Sequence, residues 1–425
     1  MLDRKFIRSH PDRVRQAIVA KNDPADLDGF LAMDTQHLAI LKEVEDLKGE
    51  RNRASESINQ MKQAGQETHA RDAIARTREL GTRIKELDAQ RQALEEAIES
   101  LQLCFPNIPH ESVPPGGEGD ARFIRAWGEV DENPGFELRP HWELGEELGL
   151  FDLPRGAKVA GSGFPLFTGE GARLQRALVA FMLDLHRAAG FTEVQPPLLV
   201  NSAAMTGTGQ LPKMPEQMYH CEVDDLWLIP TAEVPLTNLY AGEILDGQRL
   251  PMNFTAYTPC FRREAGAHGK DTRGLLRVHQ FDKVEMVKFV RPETSYDELE
   301  ALLAEAEKVL QALTMPYRVM CLAAGDLSFA AAKCYDLEIW SGGVQRWLEV
   351  SSVSNFEDFQ ARRANIRFRP AAGEKPQFVH TLNGSGVALA RLVAALLENK
   401  QTPTGKVRLP DALRPYLGGA EYLER

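Results

Sequence analysis

The sequence predicts an α+β fold: an N-terminal antiparallel coiled-coil arm of two helices, then a larger domain of strands and helices. Three observations carry that prediction. Leu80, Ile84, Leu87, Arg91, Leu94, Ile98 and Leu101 step by four and three, which is a heptad seam with one polar member. Pro106 to Gly119 is proline- and glycine-rich and marks a domain boundary. Beyond it, Phe254 to Arg263 and Leu276 to Val290 read as strands flanking a loop that holds Gly266, Gly269 and Gly274.

Taken in order, Asp3 to Asn22 reads as a short helix ended by Asp23-Pro24. Leu27, Leu31, Asp34, Leu38 and Leu41 make the stripe of a long helix. The polar stretch Gln60 to Thr68, with Gly65, allows a turn into the second long helix. Arms of about 35 residues reach roughly 50 Å and enclose no core, so the pair projects. It suits either dimerisation or contact with a distant part of a large ligand. Arg51, Arg53, Lys62, Arg71, Arg76, Arg78, Arg83 and Lys85 gather toward the tip and the returning helix, but acidic residues interleave, as on a solvated face.

In the second domain, Trp142 to Gly149 reads as a helix and Phe151 to Pro165 as loop. Glu170 to Ala189 is a helix with Leu174, Leu178, Phe181, Met182 and Leu185 on one stripe, followed by a short strand from Phe191 to Pro197. Thr231 either caps a helix starting near Glu233 or points with Glu233 into a site. Glu298 to Leu313 is an amphipathic helix; Tyr335 to Trp340 and Gln345 to Val350 form a hairpin about Gly342-Gly343; Asn365 to Arg369 is a basic strand. Thr381 to Gly386 opens a helix that runs through Asn399, and Lys406 to Arg425 reads as a packed tail.

A chain of 425 residues suggests two or three domains. A net charge of −11 excludes a dedicated non-specific nucleic-acid binder, so any RNA contact uses local basic patches. Five scattered cysteines without a C-x-x-C pair indicate neither a zinc site nor a disulfide framework, which suits a reducing cytoplasm. The N-terminus lacks the apolar run of a signal peptide, and no apolar run is long enough for a membrane span. There is no P-loop consensus, and Gly161-Ser162-Gly163 lacks the strand–helix frame of a dinucleotide fingerprint.

The chemistry concentrates on the hairpin. By alternation Arg262 shares a face with Glu264, and Arg277 shares one with His279, Phe281, Lys283 and Glu285. Guanidinium, ring and carboxylate together suit an anionic, ring-bearing ligand, and equally the solvated face of an antiparallel sheet. Glu349 and Ser352 either share a hard cation or merely end a strand. Arg391 sits on a helix among small residues, where a buried guanidinium needs an anion.

The residue order decides between these readings. F-R-R-E, a glycine-containing loop and R-G-L-L-R-V-H-Q-F-D-K-V-E-M-V resemble motif 2 of the class II aminoacyl-tRNA synthetases, in the version of the seryl enzymes. The helix, strand and proline at about 172–197 resemble motif 1, T-A-E at Thr231 the amino-acid loop, and L-N-G-S-G-V-A-L-A-R at about 380–399 motif 3. With E-V-S-S and the arm, the resemblance covers nearly the whole chain in order. Val353 stands where a cysteine is common in the family, and Ser341 to Val344 replaces a proline-containing turn.

The resemblance implies a tRNA-binding arm at 1–110 and, at 111–425, a class II antiparallel-sheet catalytic domain flanked by helices, working as a cytoplasmic homodimer. It implies ligation of L-serine to tRNA(Ser) through seryl-adenylate, and leaves tRNA(Sec) open as a second acceptor. ATP would meet Arg262, Arg263, Glu264, Arg277, Val278, His279, Phe281, Glu349, Val350, Ser351, Ser352 and Arg391. Within that set Phe281 would stack on adenine, Arg262 would hold the α-phosphate, Arg391 would meet the γ-phosphate, and Glu349 with Ser352 would hold Mg²⁺. Serine would meet Thr231, Ala232, Glu233, Arg262, Glu285, Asn383 and Ser385. Arg262, Glu264 and Arg391 would serve the chemistry. Two alternatives are weaker. A relative that charges a carrier protein lacks the arm, and a non-catalytic RNA-binding paralogue would have lost a motif arginine or carboxylate.

Overall fold

The computed structural model describes residues 1–131, 134–265 and 273–425; Gly266 and Gly269 lie outside them. The chain divides into two compact units, Leu2–Pro106 and Asn107–Arg425, Met1 grouping with the second.

The first unit is helical. Helices α1 (Arg4–Ser9) and α2 (Pro11–Ala20) stand where one helix was expected. The break falls at His10, because Pro11 has no N–H to continue the ladder. The long pair is α3 (Leu27–Gln63) and α4 (Glu67–Gln102). Asp26 caps α3 by accepting from Gly29 N at 2.9 Å, and Gly65 turns between the two helices at φ +75°. The α4 seam runs as the heptads indicate, with Ile84, Leu87 and Ile98 buried. On α3 the stripe lies one residue aside. Phe30, Asp34, His37, Ile40 and Val44 are buried, while Leu38 is 39% exposed. Both stripes share Leu27 and Asp34, and the β-branched Ile40 and Val44 take the contact with α4, while Phe30 packs on Phe105. Asp34 tolerates burial because Arg4 and Arg8 donate to it at 2.6 and 3.0 Å.

The second unit opens with β1 (Arg122–Trp127), α5 (His141–Glu147), α6 (Leu153–Ala160) and α7 (Gly169–Ala188). Helix α6 replaces the expected loop; Asp152 caps it by accepting from Arg155 N at 2.8 Å, with Pro154 in its first turn. Next come β2 (Thr192–Glu193), β3 (Leu199–Asn201), α8 (Ser202–Thr208), β4 (His220–Cys221), β5 (Leu226–Leu228), α9 (Glu233–Thr237) and β6 (Ile244–Asp246). The central hairpin is β7 (Met252–Phe261) and β8 (Gln280–Val290). Then follow α10 (Ser295–Ala312), β9 (Tyr317–Cys321), β10 (Lys333–Ser341), β11 (Arg346–Asn355), α11 (Phe359–Ala364), β12 (Arg367–Arg369), β13 (Gln377–Phe378), β14 (His380–Ala388) and α12 (Leu389–Asn399). The tail forms a small pair, β15 (Val407–Arg408) and β16 (Tyr422–Leu423).

Eight strands form the main sheet in the order β1-β9-β10-β11-β14-β8-β7-β2. Its ladders are antiparallel except for the edge pair of β2 with β7. The segment Thr381 to Gly386, expected to open a helix, lies within strand β14, because β8 and β11 pair it from both sides. Helices α7, α10 and α12 pack Leu178, Leu303 and Leu396 with Val284, Leu337 and Val353 in one core. Alternation along β8 then sends Val284 and Met286 to that core, and Phe281, Lys283 and Glu285 to an open cleft.

Two bulges shape the cleft. Ser351 opposes Leu337 and Glu349 opposes Glu338, so Val350 is the extra residue of β11. Ser385 opposes Glu285 and Val387 opposes Val284, so Gly386 is the extra residue of β14. Among the described residues no helix is long and apolar enough to cross a membrane.

Candidate active site

The cleft encloses roughly 1230 Å³ of empty space, part of it open to solvent. The sheet forms its floor, and its rim is the segment Leu275 to Val278 before β8. One end is a buried polar pocket and the other is rich in arginine.

At the polar end Glu285 is fully buried on β8. Its Oε2 contacts Lys283 Nζ and lies 3.4 Å from Thr231 Oγ1, to which Lys283 donates at 2.9 Å. Its Oε1 is buried and has no hydrogen-bond partner among the described residues. An unpartnered carboxylate oxygen in a cleft is costly unless a ligand supplies the donor. Thr231 also accepts from the N–H of Glu233, the first residue of α9, at 3.1 Å, and lines the cleft; the N-cap itself is Ala232. Glu233 accepts from Gln360 Nε2 at 2.6 Å and from Asn383 Nδ2 at 2.9 Å. Burial, with the Glu285 charge beside it, pushes the Glu233 carboxyl up to about 7. Ser385 lies opposite Glu285 in the ladder and also lines the cleft.

At the other end three guanidinium groups converge. Arg262 leaves the end of β7 and lies 5.1 Å over the Phe281 ring, its Nε donating to Pro230 O at 3.3 Å. Arg277 donates to Glu264 at 2.7 Å, and its buried Nε finds no acceptor among the described residues. Glu264 has φ +48°, a left-handed conformation uncommon for a non-glycine residue. Arg391 on α12 donates to Leu276 O at 3.1 Å and to Glu349 O at 2.8 Å, with Glu349 Oε2 at 3.3 Å.

Glu349 and Ser352 are three residues apart, a spacing that puts side chains on opposite faces of a regular strand. The Val350 bulge brings them together, and Ser352 Oγ donates to Glu349 Oε1 at 2.9 Å. Desolvation would raise the Glu349 carboxyl, but Arg391, the Ser352 hydroxyl and Arg262 hold it below the usual carboxylate range. Behind it, burial and the Glu349 charge push the Asp336 carboxyl well up. Among the described residues no group of three or more His, Cys, Asp or Glu could hold a metal ion. The pair Glu349 and Ser352 still fits a hard cation of the Mg²⁺ kind, which takes few protein oxygens and completes its shell from phosphates and water.

The cleft thus gathers Thr231, Glu233, Arg262, Glu264, Arg277, Val278, Phe281, Glu285, Glu349, Val350, Ser351, Ser352, Asn383, Ser385 and Arg391. Arg263, His279 and Ala232 do not line it. Arg263 packs over Tyr219 at 5.6 Å. His279 precedes the strand and turns away: its Nδ1 lies 3.0 Å from Arg262 O and its ring stacks on Phe164. Ala232 is buried in an apolar cluster. Sequence reasoning missed Gln360, which holds Glu233 and accepts from Thr381 Oγ1 at 2.8 Å. No motif or spacing marks it. It also left Lys283 without a site role, although alternation had placed it on the ligand face.

Comparison with known proteins agrees with this geometry. A model of the seryl-tRNA synthetase N-terminal domain matches residues 1–109, and a model of the tRNA synthetase class II core domain (G, H, P, S and T) matches residues 219–400. The chain is 53% identical to a serine–tRNA ligase of Desulfosudis oleivorans over 421 residues, 98% of each chain. It is 51% identical to the serine–tRNA ligase of Geobacter sulfurreducens over 425 residues, the whole of both. Its structure superposes with a TM-score of 0.95 on a seryl-tRNA synthetase from Pyrococcus horikoshii complexed with ATP, at 39% identity, covering 100% of this chain and 99% of that one. A full-length match at this identity, on a cleft with these side chains, leaves one assignment: the chain belongs to the seryl-tRNA synthetases, class II ligases that join serine to tRNA.

Proposed function

We propose that the polar end of the cleft binds serine and the arginine end binds ATP, with the reacting carboxylate and α-phosphate meeting at Arg262. Glu285 carries this reading: a buried carboxylate oxygen with no donor among the described residues matches serine's hydroxyl or ammonium. Thr231, Glu233, Asn383 and Ser385 complete the amino-acid end. Phe281 offers its ring to adenine, Glu264 its carboxylate to the exocyclic amine, and Arg277 and Arg391 add positive charge for the triphosphate. Glu349 and Ser352 would hold Mg²⁺, which when bound offsets phosphate charge and orients the pyrophosphate leaving group.

A serine carboxylate oxygen attacks the α-phosphorus in line, the bond to the bridging oxygen breaks, and pyrophosphate leaves. A hydroxyl of the terminal ribose of tRNA(Ser) then attacks the seryl carbonyl, and AMP leaves. Neither step needs a protein nucleophile; both need alignment and charge compensation, which the arginines provide. A site that hydrogen-bonds the hydroxyl rejects alanine by up to about 10⁴-fold, because Glu285 stays unpaired. The arm, residues 1–110, binds the tRNA, residues 111–425 carry out catalysis, and the enzyme works as a homodimer in the cytoplasm. Service to tRNA(Sec) rests on the family resemblance alone.

The test is Glu285→Ala in serine-dependent ATP–pyrophosphate exchange. The expected outcome is a loss of about 10²-fold or more in kcat/KM for serine with the fold retained. Near-normal exchange would remove Glu285 from the serine site and the reading with it.

A further inference from the structure

A histidine outside the cleft takes part in holding its nucleotide end. His141 opens α5, and Glu398 lies near the end of α12; both are fully buried. His141 Nδ1 lies 2.7 Å from Glu398 Oε1, and His141 N donates to the same oxygen at 2.9 Å. On the far side of the ring, Leu275 N donates to His141 Nε2 at 3.0 Å. A backbone N–H is only a donor, so Nε2 must be the bare acceptor and Nδ1 must carry the proton toward Glu398. The tautomer is therefore set by its two neighbours.

Glu398 has no spare capacity. Its other oxygen accepts from Ser341 Oγ, from Gly343 N at 2.9 Å and from Val344 N at 3.1 Å. Burial would raise its carboxyl, but His141 and the Ser341 hydroxyl hold it below the usual carboxylate range. One buried carboxylate thus joins three walls of the cleft: α12, which bears Arg391; the turn into β11, which bears Glu349; and, through His141, the segment Leu275 to Val278.

That segment precedes the β7–β8 ladder, which begins at Gln280. Leu276 O accepts from Arg391 on one side while Leu275 N donates to His141 on the other. Gly274, at φ +74°, passes so close that a Cβ there would stand 2.2 Å from His141 Nε2. Arg273 lies 4.8 Å over the neighbouring Trp142 ring.

We propose that His141, held in one tautomer by Glu398, is a positioning residue for ATP: it anchors Leu275 and so sets where Arg277 stands. This rests on the assignment of the arginine end to the nucleotide. Among the described residues the serine end, built from Thr231, Glu233, Glu285, Gln360 and Asn383, shares no hydrogen bond with it.

The test is ATP–pyrophosphate exchange by the full chain carrying His141→Phe or His141→Gln, with KM measured separately for ATP and serine, and folding followed by circular dichroism melts. Phe fills the volume but leaves Leu275 N without its acceptor and takes away the ring donor to Glu398 Oε1, which keeps its other donors; the Gln amide oxygen reaches the position of Nε2. The expected result is an ATP KM about tenfold higher for Phe, a serine KM within about twofold, and most of the loss restored by Gln. Unchanged KM for both substrates overturns the proposal. So does a fall in kcat that merely follows the folded fraction. If the Phe variant does not fold, Gly274→Ala decides by the same split, since its Cβ pushes the segment off an intact imidazole. Wild-type exchange with serine tests the reading of the cleft itself, so the two failures are distinguishable.

Discussion

Glu233 shows how a single buried carboxyl reports its surroundings. Its ordinary value is 4.5, and in the fold burial and Glu285 push it up to about 7. Between those values the native state binds more protons than the unfolded chain, so this group lowers stability as pH rises through that window. The penalty, a few kcal/mol at most for a shift of this size, is complete above pH 7 and absent below about 4.5. Glu233→Gln should flatten the pH dependence of the melting temperature between pH 5 and 7, and a slope equal to that of the wild type would contradict this. The types of Glu233, Glu285, Arg262 and Arg391 were legible in the sequence because their motifs are. Gln360 was not, because a lone glutamine gains meaning only when α11 sets it against Glu233. His279 was misread for a related reason: alternation was counted through a segment that is not yet strand, since β8 starts at Gln280.

Elements carry the next level. The antiparallel hairpin of β7 and β8, and the pair α3 and α4, followed from periodicity. What periodicity cannot supply is the residue that breaks it. Glu349 and Ser352 meet only because Val350 is an extra residue in β11, and Gly386 does the same beside Ser385. The strand identity of Thr381 to Ala388 likewise depends on two neighbours from distant parts of the chain. On α3, two candidate stripes shared Leu27 and Asp34, and packing against α4 chose Ile40 and Val44. That choice is measurable. Val44→Ala, deleting buried methyls 2% exposed, should cost about 1–3 kcal/mol in chemical denaturation. Leu38→Ala, on the outer face, should stay within about 0.5 kcal/mol. Equal losses would restore the leucine stripe.

At the scale of the molecule the cleft lies wholly within one unit. The unit Asn107–Arg425 contains every cleft residue, and the unit Leu2–Pro106 contains none. Removal of the arm should therefore leave serine-dependent pyrophosphate exchange within a few-fold of the full chain while tRNA charging falls to background. Charging that survives the deletion, with loss of the dimer instead, would make the arm structural. Net charge is −11, so tRNA attraction rests on local patches and should weaken steeply with added salt.

The central claim is that one cleft recognises serine by its hydroxyl and joins it to AMP. ATP–pyrophosphate exchange across a panel of amino acids tests this most directly. The account predicts exchange with serine and about 10⁴-fold less with alanine. Absence of exchange with every amino acid, or equal exchange with alanine, would contradict it.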